Sequence, residues 1–73
     1  MTKYPRIRDL REDHDLTQEQ VAKHLKMSQT GYSKYENGTR DVPTAALIIL
    51  AKLYDTSIDY ILGQTRNPER YKE

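Results

Sequence analysis

Hydroxyl residues suited to helix N-caps stand at Thr17, Ser28 and Ser57, each followed by apolar residues at helical spacing. The chain is therefore cut into short helices before any tertiary contact is considered. The clearest start is Thr17-Gln18-Glu19-Gln20, a capping box in which the Thr hydroxyl and the Gln20 side chain each satisfy an otherwise unpaired backbone donor. Val21, Ala22 and Leu25 follow on one face. Lys26 and Met27 interrupt that run, Ser28 caps a helix to about Glu36 with Tyr32 and Tyr35 inward, and Asn37-Gly38 ends it because both residues tolerate positive φ.

The flanks read the same way. From Tyr4 to about Asp13, Pro5 suits a first helical position and Ile7 and Leu10 share a face. The acids around Glu12 to Asp15 disfavour continuation at the negative helix end, so Leu16 is expected to tuck inward. Pro43 or Thr44 starts a fourth helix with the broad stripe Ala46, Leu47, Leu50, Ala51 and Tyr54. Asp55-Thr56 makes a short joint, Ser57 caps a last helix carrying Ile58, Ile61 and Leu62, and Gly63 closes it. No alternating strand pattern competes. The expected fold is all-α, a compact five-helix bundle over residues 1–63, with a flexible tail over 64–73.

Size and composition then exclude functions. A chain of 73 residues, 36% hydrophobic and 32% charged, makes one small domain with a thin core and no deep enclosed active site. Cysteine is absent, which removes disulfides and thiolate metal sites and suits a reducing cytoplasm. Neither a long apolar span nor a cleavable signal is present, so no membrane role is expected. Consecutive side chains from Glu12 to Asp15 rarely converge on a metal, so that cluster reads as a solvated turn, and His24 has no second ligand at helical spacing. No nucleophile with a base and no glycine-rich phosphate loop stands out. Neither catalysis nor a cofactor, metal or small-molecule site is expected.

The informative stretch is Gln18 to Asn37, QEQVAKHLKMSQTGYSKYEN: two short helices, a tight turn, and a small Ala22 where they cross, which is a helix-turn-helix pattern. Gln29, Thr30, Gly31, Ser33 and Lys34 are left outward on its second helix, short or polar, with no carboxylate before Glu36. Such a face fits a major groove, where Gln offers an amide to adenine, Lys an ammonium to guanine and Thr a hydroxyl or methyl. The six tyrosines offer another reading, as stacking platforms for single strands, but Tyr32, Tyr35 and Tyr54 fall on core faces, and Tyr4, Tyr60 and Tyr71 stay undecided. The net charge of +1 neither announces nor excludes nucleic acid. Its distribution is polarised: Lys23, Lys26, Lys34 and Arg40 outnumber Glu19 and Glu36 over 17–40, whereas Lys52 faces Asp41, Asp55 and Asp59 over 41–62. Helix N-termini at Gln18 and Gln29 add backbone N–H groups for phosphates.

With Leu16-Thr17-Gln18-Glu19-Gln20-Val21-Ala22, Tyr35-Glu36-Asn37-Gly38 and Ser57-Ile58-Asp59-Tyr60-Ile61-Leu62-Gly63 as its densest signatures, the chain resembles the Cro and phage-repressor helix-turn-helix regulators. That resemblance, from about Ile7 to Gly63, implies a third helix that reads double-stranded DNA, usually as a homodimer on a palindromic operator in bacteria or phage. It implies that Gln18 holds a phosphate and braces Gln29. Gln29, Thr30, Ser33 and Lys34 meet bases or nearby phosphates, with Ser28 at the helix start, and Asn37, Thr39 and Arg40 touch the flanking backbone. Two positions depart from the pattern. Lys26 stands where the family carries a glycine at positive φ, at a strain of roughly 1 kcal/mol. Gly31 lies inside the reading helix and answers either to close approach of DNA or to simple tolerance. Ile49 and Tyr60, outside the core stripes, are candidate dimer contacts unless they pack against the tail. The competing functional reading keeps the fold and gives it a protein ligand, as in an antitoxin-like interaction module.

Overall fold

A computed structural model describes residues 4–67. Its helices are α1 (Pro5–Asp13), α2 (Gln18–His24), α3 (Gln29–Glu36), α4 (Thr44–Leu53) and α5 (Ile58–Ile61), and there is no strand among the described residues. Pro5 occupies the start of α1, where its missing N–H costs nothing. At α2 both halves of the capping box form: Gln20 N–H donates to Thr17 Oγ1 at 3.1 Å and Thr17 N–H to Gln20 Oε1 at 2.8 Å. Ser28 and Ser57 cap α3 and α5, accepting from the backbone of Gly31 and Tyr60, each at 3.0 Å.

One turn is used repeatedly. After α1, α2 and α4 the chain passes through a left-handed residue, Asp15 (φ 55°), Lys26 (φ 56°) and Asp55 (φ 51°) respectively. The following N–H reaches back to close the helix: Leu16 to Arg11 O at 3.0 Å, Met27 to Ala22 O at 3.0 Å, Thr56 to Ala51 O at 2.9 Å. The next residue is the N-cap Thr17, Ser28 or Ser57. Lys26 thus has the positive φ expected of it, and the two aspartates share it. Their short polar side chains tolerate this region better than lysine does. Gly63 ends α5 at φ 79°, as expected.

α1 packs on α3 and α5, α2 on α3, and α4 on α5. Ile7, Val21, Tyr32, Leu50 and Ile61 are enclosed at the centre, joined by Leu10, Ala22, Tyr35, Ala46, Leu47, Ala51 and Tyr54. Leu16 is half-buried against this core. Val42, which no helical stripe identifies, is also buried and pins the longer α3–α4 connection. Enclosing one such aliphatic side chain contributes about 1.5–3 kcal/mol, so a domain of this size depends on nearly every one of them.

The segment after Gly63 was expected to fray. Within the described part, Arg6 Nη1 donates to Thr65 O at 2.6 Å and to Tyr60 O at 2.7 Å, tying 64–65 to α1. Residues 68–73, including Tyr71, lie outside the described residues.

Candidate nucleic-acid interface

α2 crosses α3 with Ala22 buried, a small side chain where a larger one would force the pair apart. That crossing turns Gln29, Thr30 and Lys34 to the exposed side of α3, with Ser33 half-buried beside them. Ser33 Oγ donates to Thr30 O at 2.9 Å. The Ser28 hydroxyl is committed to its cap. Gly31 has a reason that neither sequence-based alternative supplied, because a Cβ there would lie 3.1 Å from Met27 Cε and 3.2 Å from Ser28 Oγ. The methionine tip can yield, but the capping oxygen is fixed by its bond. Beyond α3, Asn37 Oδ1 accepts from Thr39 N–H at 2.9 Å, and Asn37, Thr39 and Arg40 are all exposed.

Gln18 and Gln29 meet, as the resemblance implied: Gln29 Nε2 donates to Gln18 Oε1 at 2.6 Å. Behind them stands Glu36, which the charge count had entered beside Glu19 as an ordinary acidic residue. Glu36 is only 5% exposed and accepts at both oxygens. Arg11 Nε donates to Oε2 at 2.7 Å and Arg11 Nη2 to Oε1 at 3.1 Å, and Gln18 Nε2 also donates to Oε1 at 3.1 Å. Arg11 Nη1 further caps the α1–α2 turn by donating to Leu16 O at 2.9 Å. Burial by itself raises the Glu36 carboxyl pKa, but the hydrogen bonds led by that from Arg11 outweigh it and hold the group below the ordinary carboxylate value. The Tyr32 and Tyr54 hydroxyls are enclosed without a partner in hydrogen-bond geometry. Burial first and the Glu36 charge second resist their ionisation, pushing Tyr54 to about 12 and Tyr32 well above the phenol range.

The sequence did carry a signal for this pair. Glu36 falls one helical turn after the core residue Tyr32, and Arg11 one turn after Ile7, so both lie on inward faces. Two opposite charges on facing core stripes are expected to meet. Because Arg11 neutralises Glu36 internally, Lys23, Lys26, Lys34 and Arg40 face solvent against Glu19 alone over 17–40, a more basic surface than the plain count gave. Arg8, Arg11, Gln18, Ser33, Glu36 and Asn37 line an open cleft of about 390 Å³ beside this row. Arg8 is held by Glu12 at 2.7 Å.

Of the candidate dimer contacts, Ile49 is 40% exposed, and its neighbour Ile48, not singled out by the sequence pattern, is 42% exposed. Tyr60 is half-buried, with the Arg6 guanidinium 4.1 Å from its ring centre. His14 Nδ1 donates to Leu10 O at 2.8 Å, and its ring lies 5.0 Å from the Tyr54 ring centre to centre. No helix among the described residues is long and apolar enough to cross a membrane.

A family model described as helix-turn-helix matches residues 7–61. The chain is 45% identical over 64 residues to the uncharacterized HTH-type transcriptional regulator YobD of Bacillus subtilis, covering 88% of this chain and 57% of that protein. It is 40% identical over 60 residues to the cryptic phage CTXphi transcriptional repressor RstR of Vibrio cholerae, covering 82% and 54%. Against the antitoxin PezA of Streptococcus pneumoniae it is 37% identical over 60 residues, covering 82% and 38%. The chain spans about half the length of the curated relatives it matches, or less.

Proposed function

The chain belongs to the helix-turn-helix family, and from that premise we propose that it is a sequence-specific double-stranded DNA-binding regulator of transcription, a repressor that occupies an operator and excludes polymerase. The observation that carries this reading is the exposed row Gln29, Thr30 and Lys34 on a helix whose first side chain is braced from behind by Gln18. A braced amide is ordered before binding, so little rotamer freedom is lost at the groove. Asn37, Thr39 and Arg40 supply backbone contacts that position α3 without specifying sequence. The reading assigns the domain no catalysis and no cofactor, and it places the protein with its DNA in the cytoplasm of a bacterium or phage host.

One such domain reads only a few base pairs, so the proposal includes a homodimer on a palindromic operator with half-sites about 34 Å apart. Ile49, exposed on α4, is its proposed contact together with the uncovered part of Tyr60. The test is selection of duplexes from a random pool followed by binding measurements. Gln29→Ala and Lys34→Ala are each expected to weaken the selected site by about 1–3 kcal/mol and to relax one position per half-site. Equal losses on selected and random DNA overturn the reading. Replacing Ile49 and Tyr60 together by Lys is expected to abolish cooperative filling of the half-sites while the domain stays folded. The likeness to an antitoxin favours a second reading, a protein ligand for the same fold. A pool that yields no preferred duplex selects it.

A further inference from the structure

Glu36, Gln18 and Gln29 form a chain of hydrogen bonds with a fixed direction. An ionised carboxylate only accepts. Gln18 must therefore turn its amide nitrogen inward to Glu36 Oε1, which leaves Gln18 Oε1 facing outward. That oxygen in turn demands the nitrogen of Gln29. One Nε2–H of Gln29 is consumed, and the side chain has one acceptor, Oε1, and one remaining N–H to display. Adenine offers N6–H as donor and N7 as acceptor, the complement of that pair, whereas guanine offers two acceptors, O6 and N7. A Gln29 free to rotate has two N–H groups for guanine, but the braced one does not.

We propose that the buried Glu36–Arg11 pair, acting through Gln18, is the positioning element that makes Gln29 discriminate adenine from guanine. The inference rests on the DNA-reading role proposed above and assigns its selectivity to residues that touch no base. Arg11 enters because its two bonds hold the Glu36 carboxylate charged and oriented in the core. The relay is the route by which a buried ion pair in the α1–α3 interface acts on a base edge.

The test uses paired duplexes identical except for A·T or G·C at the base pair whose preference Gln29→Ala abolishes. Wild type is expected to prefer adenine there by about tenfold or more, the size of a bidentate amide contact. In Glu36→Gln the buried group both donates and accepts, the relay loses its direction, and the ratio is expected to fall to near unity. Should that variant not fold by circular dichroism, Arg11→Met with Glu36→Leu replaces the pair by apolar groups, an exchange that buried ion pairs tolerate. Gln18→Leu cuts the relay with the ion pair intact. Each is expected to lose the adenine-to-guanine ratio; in the two ion-pair variants affinity for random DNA changes far less than the ratio does, whereas Gln18→Leu also weakens all duplexes together through its lost phosphate contact. A folded variant of any of the three that keeps the full ratio overturns the proposal, as does a wild-type site with guanine at that pair. If wild type prefers no duplex over random DNA, the DNA-reading function itself has failed.

Discussion

The connection from α2 into α3 and the one from α4 into α5 follow the same backbone path but have opposite surroundings. Each runs through a left-handed residue, Lys26 or Asp55, into a serine cap. At the first, Ser28 is exposed and α3 extends to Glu36 with a polar outer row. At the second, Thr56 and Ser57 are buried and α5 stops at Ile61 after a single turn. One local design thus serves as a platform in one half of the molecule and as a plug in the other. Local hydrogen bonding decides where a helix starts. What the helix is for depends on the side chains beyond the cap and on what covers them.

The heaviest blow to this contrast falls behind the platform. Arg11→Ala leaves Glu36 charged and uncompensated in the core, and a loss of about 3–5 kcal/mol is expected in urea unfolding, a large part of such a domain's stability. The pair also sets a pH dependence. Glu36 has a folded pKa below its ordinary value of 4.5, so its stabilisation is fully present above the unfolded value and lost as pH falls through the folded one. The gap in melting temperature between wild type and Glu36→Gln is therefore expected to be constant from neutrality to about pH 5 and to close at lower pH.

Next comes the crossing. Ala22→Leu overfills the α2–α3 contact, and an expected cost of about 1–3 kcal/mol should come with weaker binding of the selected duplex, since α3 must move. Removing caps sharpens the comparison directly. Ser28→Ala and Ser57→Ala are each expected to lose about 1 kcal/mol of stability, but only Ser28→Ala should reduce DNA affinity. Equal losses of affinity would mean that the platform and the plug are not distinct. The smallest effects belong to the left-handed residues. Lys26→Gly is expected to raise stability by about 1 kcal/mol, Asp55→Gly by less, because aspartate already tolerates that region. A lower melting temperature for Lys26→Gly would contradict its strained φ.

Much of this was legible in the residues. The caps at Thr17, Ser28 and Ser57 and the stripes of α1 and α4 follow from spacing alone, because hydroxyl capping and helical periodicity are set within one or two turns. The meeting of Gln18 with Gln29 followed only from the resemblance. The left-handed Asp15 and Asp55 were missed, since aspartate is equally at home in ordinary turns and nothing in its neighbours names the φ. Val42 was missed because it sits in a connection where no period applies.

The chain by itself therefore determined an all-helical domain, where its helices begin, and which polar row α3 has to offer. Tertiary structure decided the rest. Whether Glu36 is a surface charge or a buried anchor depends on Arg11 arriving from another helix, since desolvating one charge is affordable only beside its partner. The direction of the Glu36–Gln18–Gln29 chain exists only once α1, α2 and α3 meet. An amide has no preferred orientation of its own until a neighbour fixes which end must donate.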